Sequence, residues 1–572
     1  MTRARVPEDL FRSEKAKASG LSRRDFLKVG GVGLAGVSML GMTGCGNVFG
    51  GGGGEGGGGN GGGGGGAGVL DWNSVADIPD MDPSTSTDAA SGDLLNNIYD
   101  TLYALDEELV PQPSLAESYE ESDDGLTYTF TLRDGIVWSN GDPVTAENFR
   151  YSWLRAMNPD TASQYSFIIA DYVEGGQEFS AGEGSEEDVG IEAPDERTLV
   201  VNLSRPTPYF LSLTAFKTYL PLNQAFVEEQ GDNFAQGPDS MIYCGPYVLT
   251  EFNPTNGARL EKNPDYWDAD NVTIETVNVE IINDQNTALN LYESDGLDLV
   301  ELSGENAQRI EDNPERFEYT EFASWYLTYN YEDEAMANEN IRRAISQGVD
   351  KQALTDQILR SGAVPATGLV PLEMAGVTPE EPFRDLAGDA ALEFNADEAR
   401  QAWEAGVEEL GSAPTLRLLS QDSTAARDLA TFLQSQLREN LGAEVEIDVQ
   451  PFESFLDRIE QLDYQFVNQG WIADYNDPSS FLDLFLSDSP FNRSGYSNER
   501  YDELVLGTRE TNDNQARMDA FVEAERILLQ EDVAIGVLYF DGRTGLVKPN
   551  VEPAFPPFGG VHFKDWTLDE QA

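Results

Sequence analysis

The residues best placed to do chemistry lie together in Gly470-Trp471-Ile472-Ala473-Asp474-Tyr475-Asn476-Asp477-Pro478. One carboxylate, Asp474, stands among the aromatic residues Trp471 and Tyr475, directly after a run at 464–467 that reads as a strand. A carboxylate enclosed by rings in a closing cleft makes a charge-assisted hydrogen bond that water exclusion strengthens. The rings add surface for an apolar or cationic group. In open α/β sheets ligands bind beyond the carboxyl ends of strands, so this loop is the leading site candidate. The plainer reading of Asp474 is a turn residue capping the helix near Pro478.

Other chemistries find little support. His562 is the single histidine, which removes multi-histidine metal sites and argues against a serine or cysteine nucleophile with a histidine base. Its plain reading is an ordinary strand or surface histidine. The sequence has neither a phosphate-binding Gly-rich loop with Lys and Ser/Thr nor G-x-S-x-G. With 102 acidic residues, a carboxylate pair for glycoside hydrolysis is always to be found and so carries no information. The expectation is a binding protein without metal or cofactor, not an enzyme.

The net charge of −66 excludes nucleic acid and anionic lipid as ligands, which require basic surface. It suits high ionic strength, where screening relieves self-repulsion. Eight of the 36 basic residues fall in the first 44 positions, where Ser22-Arg23-Arg24-Asp25-Phe26-Leu27-Lys28 matches the twin-arginine export pattern. The apolar run that follows, 29–44, falls short of the roughly 20 residues of a spanning helix. Met42-Thr43-Gly44-Cys45 resembles a bacterial lipobox, which implies lipid on Cys45 and a mature chain that begins there. Removing residues 1–44 takes away eight basic and four acidic residues, leaving a formal −70. Residues 50–66 are glycine apart from Glu55 and Asn60, so 45–67 reads as a lipidated, flexible tether spanning roughly 25 Å. With Cys45 lipidated, Cys244 has no disulfide partner and reads as a small buried residue.

Behind the tether, about 500 residues call for two or three lobes. Leu126, Tyr128, Phe130 and Leu132 alternate with threonines, the period of a half-buried strand. Turn residues follow, and Thr145 opens a helix with Phe149, Trp153 and Leu154 on one face. Asn395 starts another helix, then come a strand at 415–419, a helix at 424–441 ended by Gly442, and a strand at 445–449. Such strand, helix, strand units build parallel sheets.

The string from Asp123 to Trp153, containing DDGLTYTFTLRDGIVWSNGDPVTAENFRYSW, resembles the signature of the family 5 solute-binding proteins. These extracytoplasmic receptors hand peptides and related solutes to ABC importers. The resemblance continues in Cys244-Gly245-Pro246-Tyr247 with Asn263-Pro264-Asp265-Tyr266-Trp267, in 325–330 with 341–350, and in Val547-Lys548-Pro549-Asn550. It implies an α/β, two-jaw periplasmic-binding-protein-like fold of type II with a hinge: a discontinuous lobe I (68–108, 223–320, 538–572), an inserted lobe (109–222) and a continuous lobe II (321–537). It also implies that Asp474, in the W-x-A-D-Y segment Trp471 to Tyr475 that includes Ala473, anchors a peptide's α-ammonium group. Where receptors for very short peptides can carry an arginine three residues before that tryptophan, this chain has Asn468. Arg458 and Arg493 are candidates for the other end of the ligand, although surface ion pairs are the plainer use of each. The implied partners are peptide ligands and the permease subunits of an ABC transporter, with a monomeric receptor held at the cell membrane through Cys45, facing the periplasm or the exterior. The rival readings are a same-fold receptor for an oligosaccharide, nickel chelate or glutathione and, more distantly, a secreted hydrolase.

Overall fold

Local patterning carries directly into structure in the segment that follows Asp123. Strand Thr127–Leu132 buries Tyr128, Phe130 and Leu132 and leaves its threonines half-buried. Helix Ala146–Met157 begins at Thr145, whose backbone N–H donates to Asn148 Oδ1 at 2.9 Å, and Phe149, Trp153 and Leu154 are buried along it. A capping box of this kind satisfies N-terminal amide groups that the helix itself leaves unpaired. The computed structural model describes residues 68–107, 109–379 and 381–569; the expected export segment with Arg23 and Arg24, the lipidated Cys45 and the tether lie outside them.

Three main sheets organise the described residues. The first has four strands in the order Val69–Ser74, Thr276–Ile281, Gly257–Lys262, Tyr247–Asn253, with the first pair parallel and the others antiparallel. The second is antiparallel and falls within the stretch expected to form the inserted lobe: Ala116–Glu121, Thr127–Leu132, Thr198–Asn202, Ile191–Glu192. The third runs Leu299–Leu302, Ile535–Val547, Arg316–Tyr329, Phe466–Ile472, Thr415–Gln421, Glu444–Gln450, with Val364–Pro365 attached beside Ile535–Val547. The expected parallel unit is present: Thr415–Gln421 and Glu444–Gln450 pair in parallel around helix Thr424–Leu441, which Ser423 caps and Gly442 ends at φ 73°. Cys244 is buried, as a small core residue. His562 is not in a strand; it stands half-buried ahead of the short helical turn Phe563–Asp565.

Site positioning depends on two long antiparallel strands, Arg316–Tyr329 and Ile535–Val547. Their register slips between Thr320, opposite Gly542, and Ser324, opposite Phe540. Extra residues of this kind bend a strand and increase its twist. At the slip the half-buried Arg543 guanidinium lies against Glu301 (2.9 Å), Glu321 (2.8 Å) and Asp541 (3.2 Å). Burial pushes the Glu321 carboxyl up to about 7 against the pull of Arg543. Gly542 lets this region pack, because a Cβ there would lie 2.6 Å from the Ala363 backbone nitrogen and run into Gly362.

The site strand is longer than expected and later in the chain. It spans Phe466–Ile472, so Gly470, Trp471 and Ile472 are strand residues rather than loop. Pairing with Arg316–Tyr329, which sets Trp471 opposite Ser324 and Gly470 opposite Trp325, carries it past the weak strand formers Asn468 and Gln469. Gly470 is required by that pairing: a Cβ would meet the Trp325 ring at 2.7 Å.

Gly542→Val should cost about 2 kcal/mol or more, the scale of overpacking against fixed backbone, read as a lower urea midpoint. An unchanged midpoint would show that the strand slip absorbs the extra volume.

Candidate functional site

Asp474 sits just past the end of the site strand and is buried. Its backbone N–H donates to Ser480 Oγ at 2.8 Å, which fixes the turn. Its side chain does not cap the following helix. That task falls to Asp477, whose Oδ1 accepts from the Ser479 N–H and Oγ–H. The Asp474 carboxylate accepts a hydrogen bond from Tyr165 Oη at 3.1 Å, a residue of the segment that carries the second sheet. Among the described residues no lysine or arginine nitrogen forms an ion pair with it.

Burial pushes the Asp474 carboxyl up to about 7, opposed first by the Lys217 ammonium and then by the Tyr165 and Trp471 side chains. Lys217 is buried in turn and donates to the Asp88 carbonyl at 2.8 Å. Burial lowers its pKa, while Asp88 and Asp474 resist that change. A cation, a carboxylate and a phenol from three distant segments thus meet in one low-dielectric region, where unpaired charge is costly and a complementary charge is strongly held.

Aromatic rings close over this carboxylate. Trp471 packs edge-on to Phe491 with centroids 4.8 Å apart, and Phe491 lies 4.9 Å from Tyr165. The Trp471 Nε1 is buried without a hydrogen-bond partner of ordinary geometry. Tyr475 is placed differently from Trp471. It is fully buried, its ring stacks on Tyr209 at 5.3 Å and 3°, and its Oη lies 3.3 Å from Tyr172 Oη. Packed against Tyr209 and Tyr172 of a segment far away in the chain, it has one face already covered. Ala473 is buried beside Asp474, and its N–H donates to the Phe322 carbonyl at 2.8 Å.

The segment bearing the second sheet and the segment bearing the third also touch directly. Arg509 donates to Asp171 at 2.6 Å and to Asp483 at 2.8 Å, with all three side chains largely buried. Gln164 donates to Glu460 at 2.9 Å and accepts from Arg493 at 3.2 Å. Arg458, by contrast, is held by Asp448 (2.5 Å) and Asp463 (3.0 Å) on its own side, as a surface ion-pair residue would be. Asn468 is half-buried, with Oδ1 unpartnered. Tyr165, Lys217, Phe491 and Arg509 carry no local sequence signal for this site; Tyr165 stands 309 residues from the carboxylate it touches.

The family model for bacterial extracellular solute-binding proteins, family 5, matches residues 110–493. The oligopeptide-binding protein OppA of Bacillus subtilis is 31% identical over 498 residues, which covers 85% of this chain and 90% of that protein. Listeria monocytogenes OppA bound to peptide superposes with a TM-score of 0.84 at 38% identity, covering 88% of this chain and 100% of that one. The murein tripeptide-binding protein MppA, 25% identical, is matched in two forms. Its Escherichia coli structure gives a TM-score of 0.82, covering 87% of this chain and 98% of that one. The unliganded open form gives only 0.60, covering 88% and 97%. The two-lobe α/β fold of this chain thus superposes better on the peptide-bound Listeria receptor than on the unliganded open form of MppA.

The Arg509–Asp171 pair ties the segment of the second sheet to that of the third, so Arg509→Met should shift the ligand-free protein toward an open form. The measurement is small-angle scattering at low salt, where a larger radius of gyration is expected. An unchanged radius would show that the bridge contributes nothing to closure.

Proposed function

Because the chain belongs to the family 5 bacterial extracellular solute-binding proteins, we propose that it captures oligopeptides outside the cytoplasm by closing two jaws over them and delivers them to an ABC importer. The observation that carries this reading is Asp474: a carboxylate buried at the meeting of the jaws, hydrogen-bonded to Tyr165 and without an ion-pair partner among the described residues. A peptide's α-ammonium group is the cation of matching size, and its charge-assisted hydrogen bond gains strength where water is excluded. Trp471 and Phe491 supply apolar surface beside the anchor. The rest of an extended peptide is held through its backbone in strand-like pairing, which tolerates many sequences.

On this reading one jaw comprises 68–108, 223–320 and 538–572 with the lobe 109–222 inserted into it, and the other is 321–537. The slip between Arg316–Tyr329 and Ile535–Val547 lies where the jaws join and serves as the hinge. The work is binding rather than turnover, done by a monomer that presents its closed form to the permease. Twin-arginine export through Arg23 and Arg24, lipidation of Cys45 and the glycine tether keep it at the outer face of the membrane.

Two results are expected. Free-amine peptides should bind more tightly than their N-acetylated forms by about 2 kcal/mol or more, the scale for leaving a desolvated charge unpartnered, and Asp474→Asn should lose the same amount. The ligand-free Asp474 carboxyl is raised to about 7, and a bound ammonium favours its ionised form. Affinity should therefore weaken as pH falls through 7, by up to about tenfold per unit, and weaken again above about pH 8, where the peptide amine loses its proton; Asp474→Asn should remove the acid limb. Calorimetry that finds equal affinity for acetylated and free peptides would sink the anchor. For the membrane attachment, Cys45→Ser should move the protein from the membrane fraction to the soluble one; retention would reveal another anchor.

A further inference from the structure

The arginines that crowd the jaw interface are nearly all matched by buried or well-placed acids. Arg509 has Asp171 and Asp483, and Arg517 has Asp477 at 2.9 Å. Arg493 is the exception. Its side chain is only 11% exposed, yet its acidic neighbour is Glu460 at 3.5 Å, which is 37% exposed and already accepts from Gln164. Among the described residues it hydrogen-bonds only through Nη2, to Gln164, and its Nε is buried with no partner. Burial pulls the guanidinium below its ordinary pKa, with Glu460 the first group opposing that, followed by the phenols of Tyr165, Tyr326 and Tyr464.

Its position points to the site. The guanidinium lies 5.2 Å over the Phe491 ring, and that ring packs on both Trp471 and Tyr165. The rings of Phe491 and Tyr165 thus link Arg493 to Asp474. Its backbone is pinned, with its N–H donating to the Phe491 carbonyl at 2.8 Å and its carbonyl accepting from the Tyr464 hydroxyl. On the site strand one further buried polar atom, Asn468 Oδ1, has no hydrogen-bond partner among the described residues. A buried guanidinium with a free edge is suited to a carboxylate, which it grips through parallel hydrogen bonds.

We propose that Arg493 binds a ligand carboxylate close to the ligand's amino end, so that the receptor favours peptides with an acidic group there. This rests on the oligopeptide reading and narrows it. An extended peptide advances about 3.4 Å per residue, so the group belongs to one of the first three residues. It is either an Asp or Glu side chain or the terminal carboxylate of a di- or tripeptide.

Calorimetry on the full-length protein separates the two sources. The peptides are Ala-Glu-Glu-Ala-Ala against Ala-Gln-Gln-Ala-Ala, and Ala-Ala-Ala against its C-terminal amide. The carboxylate member of at least one pair should bind about tenfold more tightly, the first pair reporting a side chain and the second a terminus. Arg493→Gln should erase that preference while changing the Gln pentapeptide by less than about threefold, and Arg493→Lys should keep part of it. Gln164→Ala, which removes the bond between the jaws but leaves the guanidinium, should retain the preference. No preference in the wild-type protein, or an equal loss for every peptide in Arg493→Gln with an unaltered melting temperature, would overturn the proposal in favour of a purely closing contact. Failure of the wild-type protein to bind any of the four would instead sink the peptide reading itself.

Discussion

The antiparallel pairing of Arg316–Tyr329 with Ile535–Val547 is the constraint on which everything else rests. These strands share one ladder, yet one end pairs with Leu299–Leu302 and the other lies beside Phe466–Ile472. On the proposed two-jaw division, rotation is taken up where this ladder is interrupted, between Thr320 and Ser324 and again at Trp325 and Tyr326. The same place holds Arg543 among three carboxylates. A partly buried ionic cluster adds little net stability, but it tolerates few geometries, because each misplaced partner leaves a charge poorly compensated. The hinge is thus confined by charge on one side and by the bare backbone of Gly542 on the other.

That frame explains how a carboxylate can be kept in a place so unfavourable for it. Asp474 hangs from the end of a strand whose register the hinge strand sets, and its turn is tied by Ser480. Tyr165 approaches it from the inserted lobe. Enclosed by Tyr165, Trp471 and Phe491, the ionised carboxylate becomes a demand for a cation. Recognition and closure are one event, since neither jaw alone builds the low-dielectric surroundings.

Much of the fold was legible because local periodicity and caps agree with it. Helix Thr424–Leu441 and its flanking parallel strands fall where apolar spacing and Gly442 place them. Asp474 and Trp471 were legible as a string of residue types after a strand. The end of that strand was not, because Asn468, Gln469 and Gly470 are poor strand formers and only the partner strand reveals that they extend it. Tyr475 reads in sequence like Trp471, but a partner from another lobe, Tyr209, covers its face. Arg493 reads as a surface residue in an acidic chain, and its burial depends on Gln164 and Phe491 packing over it. What sequence withheld in each case is a contact between residues distant along the chain.

The direct bridge between the jaws through Arg509 and Asp171 has a kinetic meaning. It is made without any ligand atom, so it must break on every release whatever peptide is held. Dissociation is then limited by an opening step common to all cargo, and peptides of quite different affinity share a ceiling on how fast they can leave. For a receptor that accepts many sequences, such a clock set by the protein gives the partner permease a predictable interval in which to engage the closed form before it reopens.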